Sequence, residues 1–120
     1  MKIKIAILGS TGSIGKSTLE VIKKDKKNFD VILLSANNNY KKLIQQAKEF
    51  NVKNVIIKNK TLYLKVKNSL KKTKTKVYSG DISIINIISG KLDYTMSAIV
   101  GVAGLQPTVD AIKISKTVAI

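Results

Sequence analysis

No cysteine, histidine, arginine or tryptophan occurs in these 120 residues, and proline occurs once. Each absence removes a class of chemistry. Without Cys there is no disulfide framework and no thiolate nucleophile. Without Cys or His a structural zinc site lacks its usual ligands. Without His there is no Ser-His or Cys-His couple. No apolar run reaches the ~18 residues of a membrane span. Met1 stands two residues before the first apolar strand, so no signal or transit peptide is expected and the cytoplasm is the default compartment. The length fits one domain with a core of its own.

What the chain has in excess is lysine. Its 22 basic residues stand against 7 acids, for a formal net charge of +15. Such a surplus raises the question of nucleic acid. Dedicated nucleic-acid readers bring Arg for bidentate contacts and aromatics for stacking. Here Arg is absent and aromatics make up 5%. Lysine beside abundant Ile and Asn reads instead as compositional drift that fills tolerant surface positions. The stretch Lys71-Lys72-Thr73-Lys74-Thr75-Lys76 reads as a solvated helix end or loop. Neither nucleic acid nor membrane is expected as a partner.

The hydrophobic pattern alternates between short apolar runs and amphipathic segments. Ile3–Leu8 reads as a strand buried on both faces. Lys16–Lys24 reads as a helix, with Ile14, Leu19, Val21 and Ile22 on its apolar side. Asp30–Ser35 is a second buried strand, and Tyr40–Phe50 a helix with Leu43, Ile44, Ala47 and Phe50 at helical spacing. Asn54–Ile57 is a strand, Leu62–Lys72 a helix and Val77–Ser79 a short strand. Asp81 is placed to cap a helix over Ile82–Ile88, ended by Gly90. Tyr94–Ala98 is a strand, Leu105–Ile114 a helix with Pro107 in its first turn, and Thr117–Ile120 begins another strand. This alternation predicts an α/β fold: a Rossmann-like open, mostly parallel sheet with helices on both faces. Ligands of such sheets bind outside the carboxyl ends of the strands. The loops at those ends are Gly9–Gly15, Ala36–Asn39 and Val100–Gly104.

Gly9, Gly12 and Gly15 form G-x-x-G-x-x-G between the first strand and the first helix, the context in which a glycine motif carries weight. Gly9 lets the chain leave the strand in a tight turn. Gly12 leaves no side chain between the helix N-terminus and a pyrophosphate. Gly15 allows close packing of helix on strand. Thr11 and Ser13 add hydroxyl donors, and the helix dipole favours the phosphates. A plain βα turn with surplus glycine is the bland alternative. Gly15-Lys16-Ser17 also resembles the end of a P-loop, but that pattern needs glycine where Ser10 stands. An NTPase stays a minor alternative.

The end of the second strand decides which dinucleotide fits. An acid there holds a free ribose 2′-hydroxyl. Here the run is Ser35-Ala36-Asn37-Asn38-Asn39, without an acid, and Lys41 and Lys42 follow. Neutral donors beside ammonium groups predict NADPH over NADH. A solvated helix face is the alternative reading of the two lysines.

Two stretches carry a resemblance. Ala6-Ile7-Leu8-Gly9-Ser10-Thr11-Gly12-Ser13-Ile14-Gly15, with Ser17-Thr18-Leu19, resembles the N-terminus of the 1-deoxy-D-xylulose 5-phosphate reductoisomerase family. Ser97-Ala98-Ile99-Val100-Gly101-Val102-Ala103-Gly104-Leu105-Gln106-Pro107-Thr108, then Ala111-Ile112 and Lys116-Thr117-Val118-Ala119-Ile120, is similar to a later loop, helix and strand of that family. The resemblance covers the whole chain, with a generic middle. It implies an NADPH-dependent oxidoreductase of non-mevalonate isoprenoid (terpenoid) biosynthesis. Such an enzyme rearranges and reduces 1-deoxy-D-xylulose 5-phosphate to 2-C-methyl-D-erythritol 4-phosphate. It also implies Mg²⁺ or Mn²⁺, a sugar phosphate substrate and a homodimer. On this resemblance Thr11, Gly12, Ser13 and Ile14 contact the cofactor's phosphates and nearby groups. Asn37, Asn38 and Asn39 fall where the family commonly has Gly-Lys-Asn around the 2′-phosphate, so Asn39 matches and the other two depart. Ala98, Ile99 and Gly101 border the nicotinamide side.

The family's run Ala-Asn-Lys-Glu-Ser and its metal ligands are expected beyond Ile120. No catalytic residue and no metal ligand is expected in this segment, whose seven acids are scattered. Residues 1–120 are thus expected to be the N-terminal dinucleotide-binding domain of a longer enzyme, truncated and inactive alone. The alternatives are another NADP-dependent reductase with the same first βα turn, or a non-catalytic nucleotide-binding module.

Overall fold

Six short segments pair into one sheet, apolar on its central strands and more polar towards its edges, and the residues between them become the layers that cover it. In the computed structural model, which describes residues 2–99 and 104–120, the chain runs β1 (Ile3–Leu8), α1 (Ser13–Lys23), β2 (Phe29–Ala36), α2 (Tyr40–Glu49), β3 (Asn54–Ile57), α3 (Tyr63–Leu70), β4 (Lys76–Ser79), β5 (Leu92–Ser97), α4 (Leu105–Ile114) and β6 (Ser115–Ala119). All strands pair in parallel, in the order β4-β3-β2-β1-β5-β6. The chain builds outward from β1 to β4, then crosses back to lay β5 on the other side of β1. That reversal puts a switch point between β1 and β5, where ligands of open α/β sheets bind.

The central strands are apolar on both faces because both faces are covered. On one face Ile5, Ile7, Val31, Leu34, Val55 and Ile57 pack under α1, α2 and α3 through Leu19, Ile22, Leu43, Ala47, Val66 and Leu70. On the other, Ala6, Leu8, Ile32, Leu33 and Ile56 pack with Ile84 and Ala111. Leu33 and Leu34 are both fully buried although adjacent, and each contributes about 1.5–3 kcal/mol by leaving water. The pairing of β1 with β2 slips between Ile5 and Ala6, so Ile5 faces Val31 while Ala6 faces Leu33. This bulge leaves Ile32 as the extra residue and sets Ile32 and Leu33 on the same face.

Three expectations need correction. The helix over Ile82–Ile88 is absent; the segment holds a single 3₁₀ turn, Ile84–Asn86. Its β-branched isoleucines are poor helix formers. Ser83, not Asp81, caps the turn by accepting the Ile85 N–H at 3.2 Å, and Asp81 turns to Lys58 instead. The second correction concerns α1, where Leu19 and Ile22 are buried but Ile14 and Val21 are 54% and 65% exposed. The third is small: β6 begins at Ser115, directly from α4. No helix among the described residues is long and apolar enough to cross a membrane.

Candidate functional site

The carboxyl ends of β1, β2, β3 and β5 open into one cleft of about 750 Å³, within the usual ~300–1,000 Å³ of small-molecule sites. From β1 and its loop come Leu8, Gly9, Thr11 and Gly12. From β2 come Ser35, Ala36 and Asn37, and from β3 Ile56 and Lys58. The link after β4 gives Gly80–Ile84, the end of β5 gives Ala98 and Ile99, and α4 gives Gln106, Pro107 and Asp110.

Gly9 and Gly15 take the tight-turn and close-packing positions that their spacing predicts. Gly9 has φ +78°, the left-handed region that a side chain resists. A Cβ there would also stand 3.1 Å from the Ala98 carbonyl oxygen. A Cβ on Gly15 would stand 2.5 Å from the Gly9 oxygen and from Ser10 Cα, so only glycine lets α1 sit this close to the loop. Gly12, the N-cap of α1, makes no side-chain cap. The N–H groups of the first turn, Ser13 to Gly15, therefore lack carbonyl partners one turn back and can serve an anion. These features fit a dinucleotide pyrophosphate.

Two buried side chains hold that loop in place, and neither stands out in the sequence. Ser10 is fully buried and Gln46 nearly so. The Ser10 hydroxyl donates to Gln46 Oε1 at 2.8 Å, and Gln46 Nε2 donates back to the Ser10 carbonyl at 3.0 Å. The Ser10 and Gly9 N–H groups both donate to the Ser35 carbonyl, at 2.9 and 3.1 Å. The glycine loop is thus pinned to α2 and to the end of β2. On the opposite wall Asp110 is buried, with Oδ2 accepting from Ser83 Oγ and Oδ1 from Gln106 Nε2, both at 2.9 Å. The four-residue spacing of Gln106 and Asp110 on a helix is the one sequence signal for that pair.

Of the twelve residues expected at the cofactor, Gly9, Thr11, Gly12, Asn37, Ala98 and Ile99 line the cleft. Ser13, Ile14 and Gly15 form the first turn of α1. The Ile14 side chain points away, onto an apolar patch shared with Ser13, Ser17, Thr18 and Val21. Asn38 and Asn39 are outside the lining. The Asn39 side chain accepts the Lys42 N–H at 3.2 Å and caps α2, while Asn38 Oδ1 accepts from Asn59 Nδ2 at 2.9 Å. Gly101 lies outside the described residues. Lys41 and Lys42 do not line the cleft, and the Lys42 ammonium donates to Gln45 Oε1 at 3.4 Å. Among the described residues, the one lysine that does line it is Lys58, whose ammonium stands 3.6 Å from Asp81 Oδ1. No cluster of three His, Cys, Asp or Glu side chains that could hold a metal exists among the described residues.

The profile of one family, 1-deoxy-D-xylulose 5-phosphate reductoisomerase, matches residues 5–120. The enzyme of that name from Pelagibacter ubique (strain HTCC1062) is 53% identical over 119 residues, covering 98% of this chain and 31% of its own. A solved structure of the Zymomonas mobilis reductoisomerase in complex with NADPH superposes with a TM-score of 0.91 at 37% identity, over 98% of this chain and 31% of that one. A DOX-P reductoisomerase in complex with NADPH, fosmidomycin and magnesium gives a TM-score of 0.87 at 31% identity, over 97% and 29%. The chain therefore spans about a third of the length of these relatives.

Proposed function

This chain belongs to the 1-deoxy-D-xylulose 5-phosphate reductoisomerase family, and we propose that it is the NADPH-binding portion of such an enzyme. The observation that carries the reading is the G-x-x-G-x-x-G loop, built with φ +78° at Gly9 and a steric need for glycine at Gly15, over a cleft at the β1–β5 switch point. The similar Zymomonas mobilis enzyme, solved with NADPH, supports it.

In this reading the chain holds and orients, and the reacting groups lie elsewhere. The first-turn N–H groups of α1 and the Thr11 and Ser13 hydroxyls bind the pyrophosphate, with the helix dipole adding to the attraction. Asn37 meets the adenosine ribose at the end of β2. Ala98 and Ile99 border the nicotinamide with small and apolar surface and keep water from it. NADPH, when bound, supplies the reducing equivalent. The described residues do not form a metal site, so no step here runs through a metal. Mg²⁺ or Mn²⁺, the sugar phosphate and the homodimer contacts belong, in this proposal, to the two thirds of the family length that the chain does not span. Residues 1–120 are then the N-terminal, cofactor-binding domain of a cytoplasmic enzyme that acts on 1-deoxy-D-xylulose 5-phosphate. Nucleic acid and membrane are not partners in this reading.

Calorimetric titration of the chain with NADPH tests it. Saturable 1:1 binding, with ATP and magnesium giving none, is expected. Binding of ATP with magnesium in preference to NADPH would overturn it in favour of an NTPase.

A further inference from the structure

Discrimination between NADPH and NADH rests on what meets the 2′ position of the adenosine ribose, at the end of the second strand. The obvious candidates there are largely committed. Asn39 caps α2, and Asn38 accepts a hydrogen bond from Asn59. Lys41 and Lys42 stand outside the cleft lining. Among the described residues one cation remains on the wall, Lys58, which directly follows the neighbouring strand β3.

We propose that Lys58 recognises the 2′-phosphate and sets the preference for NADPH. Its backbone is fixed beside the end of β2: the Lys58 N–H donates to the Ala36 carbonyl at 2.9 Å, and the next N–H, of Asn59, donates to the Asn37 carbonyl at 3.1 Å. Neighbouring strands lie about 4.8 Å apart, and a flexible four-carbon stem carries an ammonium across that gap. The ammonium's present partner is weak. Asp81 is 87% exposed and its oxygen stands at 3.6 Å, so the pair contributes little and is easily exchanged. A dianionic phosphate at the ribose offers a stronger, charge-assisted partner. Lys58 thereby swings from Asp81 to the phosphate as NADPH enters, whereas NADH leaves the original pair intact.

The assignment rests on the cofactor reading above, so its test compares two ligands. NADPH and NADH are titrated against the wild-type chain and against Lys58→Gln, Lys58→Arg, Asp81→Asn and the double variant Lys41→Ala/Lys42→Ala. Lys58→Gln is expected to raise the NADPH Kd roughly tenfold, about 1.4 kcal/mol, while the NADH Kd stays within about twofold. Lys58→Arg keeps the preference. Asp81→Asn removes the competing carboxylate and lowers the NADPH Kd, and the double variant leaves the ratio of the two constants unchanged. If wild type prefers NADPH and Lys58→Gln keeps the same ratio, the Lys58 assignment falls and the cofactor reading stands. A loss of preference in the double variant alone would equally overturn Lys58. If wild type binds neither nucleotide, the cofactor reading fails and Lys58 falls with it. Lys58 is 46% exposed at its side chain, so its replacement leaves the core untouched.

Discussion

Replacing Gln46 by Leu probes how the nucleotide loop is held. The change keeps the side chain's bulk but deletes both hydrogen bonds to Ser10, at 2.8 and 3.0 Å. Ser10 is fully buried, so water does not replace them. Its hydroxyl keeps only a long contact of 3.4 Å to the Ser35 carbonyl, and its own carbonyl loses the amide. A buried polar group left without its partner costs about 1–3 kcal/mol; with the hydroxyl counted at about 1 kcal/mol for the contact it keeps, the two together cost about 2–4 kcal/mol. That is a large share of the ~5–15 kcal/mol that holds a domain folded. At ~4 °C per kcal/mol for a chain of this size, the melting temperature falls by ~8–16 °C. The double variant Ser10→Ala/Gln46→Leu removes the stranded hydroxyl and is expected to be more stable than the sum of the two single changes. Urea unfolding of the four proteins measures both quantities. A Gln46→Leu change within about 0.5 kcal/mol of wild type, the usual effect of a surface substitution, would refute the reasoning. Strict additivity of the cycle would refute it too.

Gly15→Ala puts a Cβ 2.5 Å from backbone atoms of Gly9 and Ser10. It should cost ~1–3 kcal/mol as overpacking and abolish NADPH binding measured by calorimetry. The Asp93 carboxyl is held below its ordinary pKa of 3.8 by the Lys4 N–H, at 2.8 Å, and by the Lys116 ammonium, at 3.2 Å. Its contribution is therefore present above that ordinary value and lost as the pH falls through the lowered folded one. Asp93→Asn should be less stable than wild type at neutral pH, with the gap closing in acid, as followed by circular dichroism. With 22 lysines against 7 acids and four ion pairs among the described residues, like-charge repulsion strains the fold. Raising the ionic strength from about 0.01 to 0.15 M shortens the screening length from ~30 to ~8 Å and should raise the melting temperature; a fall would contradict this.

What was legible in the sequence was what local physics encodes. Strands buried on both faces announce themselves as unbroken apolar runs, and β1 and β3 carry the expected boundaries. Gly9 and Gly15 act within a few residues of chain, so their spacing was enough for the turn and the close packing. Ile82–Ile88 failed because its isoleucines satisfy a helical face and an irregular buried link equally well, and packing against Ala111 decides between them. Ile14 and Val21 misled for a related reason. Helical spacing marks one face, but the loop geometry at Gly12 and Gly15 fixes which side of α1 meets the sheet. Ser10 and Gln46 lie 36 residues apart, and only the fold brings them together. Lys58 is one lysine among 22. Its place beside the end of β2 follows from strand order, which no local pattern encodes.

The most direct test follows the backbone amide resonances of the ¹⁵N-labelled chain as NADPH is added. Saturable shifts are expected at Gly9, Thr11, Gly12, Ser13, Ile14, Asn37, Ala98 and Ile99, with residues at the opposite, amino ends of the strands, such as Asp93 on β5 and Lys116 on β6, unmoved. Weak, unsaturable shifts spread over the exposed lysines, with the glycine loop silent, would contradict the assignment of this cleft to the cofactor.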